Sequence, residues 1–161
     1  MEVTLDERLA YWIRNRADDC WSLQEEGPPL KVPVVAQRSQ TEFEVRFGDD
    51  FTPIIASQEF ILVHEDLVAV LNKHVPEQFR YYPVKLFRRG TKETWSQYCN
   101  VWPNTELTYE QYHDTYCEGL QLFRMRDRWL YASPELAKRL SRKLKHLQDL
   151  VIKQGIVTFE C

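Results

Sequence analysis

The residues best suited to catalysis or metal binding in this sequence are His113 and Cys117, which stand four positions apart. On a helix this spacing brings two side chains to one face, where they could ligate a metal ion or act as nucleophile and base. A zinc site needs three or four protein ligands, and the sequence does not show that Cys99 or His64 joins them. We therefore predict that His113 and Cys117 lie at the edge of an aromatic cluster and that no metal is bound.

Paired carboxylates and a phosphate-binding loop are two further features that would indicate an enzyme. Adjacent acidic residues occur at Asp18-Asp19, Glu25-Glu26 and Asp49-Asp50. Adjacent side chains point in different directions on a helix or a strand, so these are poor general acid–base pairs. The five glycines are scattered and form no glycine-rich loop. We therefore expect a protein without catalytic residues and without a cofactor.

Charge is unevenly distributed along the chain, although the net charge is only −3. Residues 1–66 carry a net charge of −8, whereas residues 124–145 carry +6. Such asymmetry suggests a charged partner. A basic helix could contact phosphates, but the chain as a whole is acidic, so a solvated helix face is the better interpretation and nucleic acid is an unfavourable partner. The basic residues of this helix are Lys138, Arg139, Arg142, Lys143 and Lys145.

The elements that must position these residues are organised around a repeated segment. Residues 61–71 are ILVHEDLVAVL, and sixty-nine positions later residues 130–140 are LYASPELAKRL. Each copy predicts a strand, a capped helix and a second strand, with Ser133 as N-cap and Pro134 in the first turn of the second helix. A helix with one apolar face must pack against another layer. We therefore predict an α+β fold in which two strand–helix–strand units pack their helices on a mixed, mainly antiparallel sheet.

Other local patterns predict further elements. Thr4 and Glu7 fit a capping box, and the apolar residues that follow predict a helix over 5–16. The apolar spacing from Leu136 to Val151 predicts a helix of about eighteen residues, which Gly155 ends before a final strand. Pro83 indicates an edge or a bulge in its strand. Alternating or apolar runs predict strands near 32–35, 41–47, 79–87, 94–102, 120–125 and 129–132.

Length and composition fit one domain that spans residues 1–161. Hydrophobic residues make up 43% and charged residues 28%, which are ordinary fractions for a globular protein. No stretch approaches the ~20 apolar residues of a membrane span. The first residues lack the basic and apolar regions of a secretory signal, so we expect a cytoplasmic protein that does not associate with membranes. Its four cysteines are then reduced and mostly buried.

The middle of the chain is rich in aromatic residues. Residues 103–119 mix tyrosines with acidic residues and lack a clean period, which predicts a loop with one helical turn. Tyrosine and tryptophan are enriched at the energetic centres of protein interfaces, so this segment is the best candidate for a partner-binding surface. The predicted partner-binding residues are Asp49, Asp50, Glu106, Tyr109, Glu110, Tyr112, Asp114, Tyr116 and Glu118.

Six motifs follow one another in residues 55–161: FILVHEDLVAVL, FRYYPVKL, YCNVW, LQLFRM, LYASPELAKRL and GIVTFE. In order and spacing they resemble the motifs IVSERLxxLL, EFxPVKL, YYLLNVL, IFR, FVSEELKxxL and GxxFxxV of a bacterial immunity-protein family. This family belongs to polymorphic and contact-delivered toxin systems and is typified by a myxobacterial immunity domain. His64 replaces the usual serine, and Trp102 stands where the family often has leucine. Residues 1–54 lie outside the resemblance and form a variable N-terminal part.

The resemblance implies an antitoxin rather than an enzyme. Immunity proteins of this kind bind a cognate toxin domain in the cytoplasm and protect the producing cell and its kin during interbacterial competition. The acidic residues among the predicted partner-binding set would suit a basic nuclease-type toxin. Two other interpretations remain open: a regulatory or scaffold module that binds an unrelated partner, and a small enzyme with a cysteine nucleophile.

Overall fold

Two β-sheets make up most of the fold, where the sequence predicts one. The computed structural model describes residues 9–15, 33–48, 51–57, 59–114, 117–125 and 129–154. The elements in this part of the chain are β1 (Tyr11–Asn15), β2 (Val34–Gln37), β3 (Glu42–Phe47), β4 (Ile54–Ala56), β5 (Ile61–His64), α1 (Glu65–His74), β6 (Phe79–Phe87), β7 (Thr94–Pro103), β8 (Glu106–Leu107), α2 (Tyr109–Asp114), β9 (Leu122–Met125), β10 (Trp129–Ala132), α3 (Pro134–Lys143) and β11 (Leu150–Gln154).

Strand pairing within the two sheets is mixed and mainly antiparallel. The six-stranded sheet has the order β2-β3-β6-β7-β5-β4, and the five-stranded sheet has the order β11-β1-β10-β9-β8. Two of these neighbouring pairs are parallel, β3 with β6 and β8 with β9, and the others are antiparallel. The predicted α+β class is therefore confirmed, with the strands divided between two sheets.

The predicted repeat is confirmed, and both copies have the same topology. In the first unit β5, α1 and β6 follow one another, and β7 lies antiparallel between the two strands. In the second unit β10, α3 and β11 follow one another, and β1 takes the place of β7. The two ten-residue helices begin sixty-nine positions apart. Both end alike, because the Val75 amide donates to the Leu71 carbonyl (2.7 Å) and the Leu144 amide donates to the Leu140 carbonyl (3.0 Å).

The two units share one hydrophobic core. Apolar residues of the first unit and their equivalents sixty-nine positions later are buried in the same cluster, together with side chains of both sheets. Two smaller clusters bury the opposite faces of the sheets. Burial stabilises by about 25 cal/mol per Å² of apolar surface, so the shared cluster couples the stability of the units. The equivalent core pairs are Ile61/Leu130, Val63/Ala132, Leu67/Leu136, Val68/Ala137, Leu71/Leu140 and Val75/Leu144.

The residues before the two helices use their side chains differently. His64 is the N-cap of α1, and its Nδ1 accepts a hydrogen bond from the Asp66 amide (3.1 Å). Ser133 has the predicted N-cap position, but its hydroxyl does not bond to the helix. Instead, Ser133 Oγ donates to the Gly119 carbonyl (2.8 Å) and accepts from the Gln121 amide (2.9 Å). This buried serine therefore joins the start of α3 to the segment that leads into β9.

The N-terminal helix predicted over 5–16 is wrong. Residues 11–15 form β1, whereas residues 5–8 and 16 lie outside the described part of the chain. Aromatic and β-branched residues favour strands, and β10 and β11 supply backbone partners on both sides of β1. The apolar residues of this segment serve the two opposite faces of a strand and not one face of a helix. Ile13 packs into the shared core, and Trp12 packs against the cluster on the other face of the sheet.

The long helix predicted up to Val151 is too long. α3 ends at Lys143, and Leu150–Gln154 forms β11. The leucine spacing continues beyond the helix because Leu147 and Leu150 still pack against the shared core from a turn and a strand. Gly155 and the predicted final strand lie outside the described residues.

The other predicted strands are confirmed within a few residues, and α2 is the helical turn predicted in 103–119. Pro83 lies in β6, inside the six-stranded sheet. However, β3 pairs with β6 only from Lys85 onward, and the register with β7 shifts between Val84 and Leu86. Proline cannot donate a backbone hydrogen bond, and Pro83 lies where β7 is the only described partner strand.

Candidate protein-interaction surface

Three predicted partner-binding residues are exposed around α2. Glu106 lies on β8, Glu110 lies in the first turn of α2, and Glu118 follows the helix. Exposed acidic side chains therefore lie before, in and after the short α2. The other predicted residues are divided between the core and the part of the chain that is not described. Outside the described part lie Asp49, Asp50, Tyr116 and the side chains of Tyr109 and Asp114.

Tyr112 is not a surface residue. It is only 2% exposed, and its hydroxyl donates to the Ala10 carbonyl (3.0 Å). Its ring packs edge-on against Tyr131, with 6.0 Å between the centroids. Tyr112 therefore fastens α2 to the five-stranded sheet and is not accessible to a partner, which corrects its predicted role.

A group of side chains, here called the aromatic surface, begins on the six-stranded sheet and continues onto the five-stranded sheet. It consists of Arg80, Tyr82, Trp102, Arg124 and Glu106. Arg80 on β6 is the direct cross-strand neighbour of Trp102 on β7. Tyr82 lies two residues beyond Arg80 and therefore points to the same face. The antiparallel pair β6–β7 thus presents an arginine, a tyrosine and a tryptophan side by side.

Arg124 connects the two sheets within the aromatic surface. Its guanidinium carbon lies 4.4 Å from the centroid of the Trp102 ring, which is a cation–π contact. Arg124 Nη2 is also 3.6 Å from Glu106 Oε2, and the two residues are paired in register between β9 and β8. Glu106, which precedes α2, is therefore linked through Arg124 to the aromatic residues of β6 and β7.

Exposure makes Tyr82 the leading contact residue of the aromatic surface. Its side chain is 39% exposed, although β6 lies between two neighbouring strands of the sheet. A tyrosine on a strand offers a large amphipathic contact area and has few rotatable bonds to restrict on binding. Tyr81 is equally exposed on the opposite face, where its ring lies 5.6 Å from that of Phe79.

The aromatic surface is only partly visible in the sequence. Two adjacent tyrosines on a strand must point to opposite faces, so the predicted strand at 79–87 already implies that Tyr81 and Tyr82 are separated. The contact between Arg124 and Trp102 has no local signature because the two residues come from different sheets. It depends on the docking of the sheets and could not be predicted from spacing.

The two cysteines in the described part of the chain are structural. Cys99 and Cys117 are buried and free. Burial raises the pKa of the Cys99 thiol, and the nearby Glu65 carboxylate adds to the effect. Burial alone raises the pKa of the Cys117 thiol. Both environments disfavour the thiolate, which is the reactive form of cysteine.

Neither a metal-binding group nor a membrane-spanning helix occurs in the described residues. The described residues contain no group of three or more His, Cys, Asp or Glu side chains that could hold a metal ion. Cys117 belongs to the aromatic cluster of the five-stranded sheet, as predicted, and the His113 side chain lies outside the described part. No described helix is both long enough and apolar enough to cross a membrane.

Arg139 of the basic helix α3 makes a polar contact with α1 of the first unit. Arg139 Nη1 lies 3.4 Å from His74 Nδ1, and Arg139 Nη2 lies 3.5 Å from Glu135 Oε1. Burial lowers the pKa of His74, and the positive charges of Arg139, Lys73 and Lys143 lower it further. In addition to the apolar contacts of the shared core, a polar contact through Arg139 therefore joins α3 to α1.

Comparisons with known proteins gave no relative for this chain. No family model matches the sequence, and neither the curated proteins nor the solved structures that were searched yielded a match.

Proposed function

We propose that this protein is an immunity protein that neutralises a cognate bacterial toxin by direct, stoichiometric binding in the cytoplasm. The first support is the ordered motif set within residues 55–161, which resembles that of an immunity-protein family. Most of these motifs coincide with the two strand–helix–strand units and with β6, β7 and β9. They therefore describe a scaffold, and the binding residues must be sought on its exterior.

The aromatic surface is the observation that carries the proposal. Tyrosine, tryptophan and arginine are the residues that most often dominate the binding energy of protein interfaces. Here Arg80, Tyr82 and Trp102 lie on the paired strands β6 and β7, whose backbone is fixed before a partner binds. Binding then restricts few additional degrees of freedom, which favours affinity.

The acidic residues around α2 extend the aromatic surface to a useful size. A standard interface buries ~800 Å² on each partner, which is more than five side chains provide. Glu106 contacts Arg124 of the aromatic surface, and with the exposed Glu110 and Glu118 it would supply an acidic rim. Such a rim would accelerate association with a basic nuclease-type toxin.

Protection of bacterial growth tests the proposal. The product of the neighbouring reading frame, which under this proposal is the toxin, is induced in cells that carry the wild-type protein, Tyr82→Ala, Trp102→Ala or the triple reversal Glu110→Lys/Asp114→Lys/Glu118→Lys. We expect full growth with the wild type and loss of protection with either aromatic variant, because a truncated hot-spot residue costs about 2 kcal/mol or more. The triple reversal should weaken protection through slower association.

Phe47→Ala is the matched control for the aromatic variants. Phe47 is 66% exposed and lies at the β2–β3 side of the same sheet, opposite Val34, away from β7. Its removal should leave protection unchanged. Growth arrest in the presence of the wild-type protein would refute the proposal. Full protection by both aromatic variants, at equal protein levels, would show that the aromatic surface is not the toxin-binding site.

A regulatory or scaffold module is the second candidate, because the aromatic surface would serve any protein partner equally well. The two candidates differ in the partner. A scaffold would bind a protein other than the neighbouring toxin and would leave toxin-induced growth arrest unchanged.

A further inference from the structure

A groove on the second unit has the opposite character to the aromatic surface. It runs along one flank of α3, above the edge of the five-stranded sheet, and has a volume of about 630 Å³. The basic side chains that line it are Lys138, Arg142 and Lys145, and Tyr11 and Ile152 are among its apolar residues. A smaller hollow of about 310 Å³ shares Lys145 and Ile152 and continues toward Leu147 and Leu150.

The basic residues of the groove are available to a partner. Within the described residues, Lys138, Arg142 and Lys145 form no ion pair, and all three are exposed. Glu135 also lines the groove, but it pairs with Arg139 (3.5 Å). The groove therefore has a positive rim over a partly apolar floor, which complements an acidic segment with intervening apolar residues.

The edge beside the groove belongs to β11, and the first unit shows what such an edge can hold. By the sixty-nine-residue repeat, β11 of the second unit corresponds to β6 of the first. The outer edge of β6 carries β3, which is parallel to it from Glu42↔Lys85 to Glu44↔Phe87. No described strand pairs with the outer edge of β11. The second unit thus lacks, in the described part, the strand that the first unit has at the equivalent edge.

The strand β3 at the equivalent edge also indicates the chemistry of a strand that would fit beside β11. In β3, Phe43 and Val45 point into the cluster on the sheet face away from α1. Glu42 and Glu44 alternate with them and therefore point to the face that carries α1. Arg38 donates hydrogen bonds to Glu44, which hold the pKa of that carboxyl below its ordinary value. An acidic, alternating strand is thus paired at this position with a basic side chain beside it.

We propose that the outer edge of β11, with which no described strand pairs, and the basic flank of α3 together bind an extended acidic segment of another protein, which adds to the five-stranded sheet as a strand. Alternate carboxylates of the segment face Lys138, Arg142 and Lys145, and its backbone pairs with β11. Edge addition of this kind obtains affinity from main-chain hydrogen bonds and specificity from alternate side chains. The proposal is independent of the proposed function and uses a different surface.

Peptide binding to the purified full-length protein tests this proposal. The probe is a fluorescein-labelled ten-residue peptide that alternates glutamate and valine, and fluorescence anisotropy measures its affinity. The triple reversal Lys138→Glu/Arg142→Glu/Lys145→Glu should weaken binding about tenfold or more, because three exposed ion pairs with the peptide are lost and replaced by repulsion. The control reversal Lys73→Glu/Arg89→Glu/Lys92→Glu changes the net charge equally at exposed positions elsewhere and should leave binding unchanged.

Two further peptides separate strand addition from simple charge attraction. A peptide that alternates lysine and valine should not bind. An acidic peptide with two central prolines should bind about tenfold more weakly, because proline cannot donate hydrogen bonds to β11. Failure of the first acidic peptide to bind, or equal binding by the proline peptide, would overturn the proposal. A dimer in solution that the groove reversal converts to monomer would also overturn it, because the occupant would then be a second copy of this chain.

Discussion

The side chain of Asn15 holds both backbone groups of Ile54. Asn15 Nδ2 donates to the Ile54 carbonyl (2.6 Å), and the Ile54 amide donates to Asn15 Oδ1 (2.9 Å). Asn15 lies at the end of β1 in the five-stranded sheet, and Ile54 begins β4 in the six-stranded sheet. One amide side chain thus acts as a strand partner between the sheets and fixes the N-terminal strand to the first unit.

Substitution of Asn15 by aspartate should strongly destabilise the protein. The side chain is 3% exposed, and aspartate would replace a donor by a carboxylate that faces the Ile54 carbonyl. A buried group left without its partner costs roughly 1–3 kcal/mol, and more when it is charged. We therefore expect urea unfolding of Asn15→Asp to show a loss of about 3 kcal/mol. Gln37→Glu makes the same chemical change at an exposed edge and should stay within about 0.5 kcal/mol of wild type. Equal stability of both variants would contradict the role of Asn15.

The shared core predicts that equivalent substitutions in the two units have equivalent effects. Leu71 and Leu140 are both fully buried in the same cluster, sixty-nine positions apart. Each Leu→Ala change should cost about 2–5 kcal/mol. Because the units share one core, each variant should unfold in a single transition when followed by tryptophan fluorescence and by circular dichroism. Two separate transitions, each shifted by only one of the substitutions, would show that the units are independent.

The repeat was predictable from the sequence because its determinants are local. Acidic residues at the start of each helix, apolar residues on one face, and flanking strands are all encoded within 61–87 and 129–154. The hydrogen bonds of the N-cap side chains, however, could not be predicted from the local sequence. Ser133 has the sequence of an N-cap, yet its hydroxyl bonds to Gly119 and Gln121, which reach it only after folding.

The strand β1 was not predictable, because its identity depends on distant partners. Ile13 pairs with Leu130 on one side and with Ile152 on the other, more than a hundred residues away. Those partners decide between helix and strand for a five-residue segment whose apolar spacing fits both. The division into two sheets and the burial of Tyr112 have the same origin, since both follow from contacts between segments far apart in the chain.

His74 provides a test of the contact between the two helices. Burial and then the charge of Arg139 lower its pKa from the usual 6.5, so an NMR titration should give a midpoint below that value. Arg139→Gln should raise the midpoint only partly, because burial remains. Arg142→Gln, on the outer flank of α3, should not change it. A midpoint at or above 6.5 in the wild type would contradict the described environment of His74.

The lowered pKa of His74 makes the free energy of unfolding depend on pH in a defined direction. The unfolded chain protonates His74 near 6.5, whereas the folded protein resists protonation to lower pH. The contribution of His74 to stability is therefore complete above about pH 6.5 and is lost as the pH falls toward its folded pKa. His74→Gln should flatten the decline of unfolding free energy over this range, and an unchanged slope would argue against the assignment.

Thiol reactivity separates a binding protein from an enzyme with a cysteine nucleophile. Cys99 and Cys117 are buried with raised pKa values, so alkylation at pH 8 should be slow while the protein is folded. In variants that keep one of these cysteines and carry serine at the other three, we expect labelling by iodoacetamide to be roughly a hundredfold slower in buffer than in urea, since it requires local opening. Rapid labelling of either cysteine in the folded state would favour the enzyme interpretation.

Isothermal titration calorimetry with the purified product of the neighbouring reading frame tests most directly whether the aromatic surface binds and blocks a toxin. We predict a one-to-one complex with a Kd of about 1 nM or tighter, as is common for inhibitor complexes of standard interface size. Tyr82→Ala should weaken the Kd about thirtyfold, which corresponds to about 2 kcal/mol. Phe47→Ala should bind like the wild type. The absence of binding by the wild-type protein, or equal affinity of the Tyr82→Ala and Phe47→Ala variants, would contradict toxin binding by the aromatic surface.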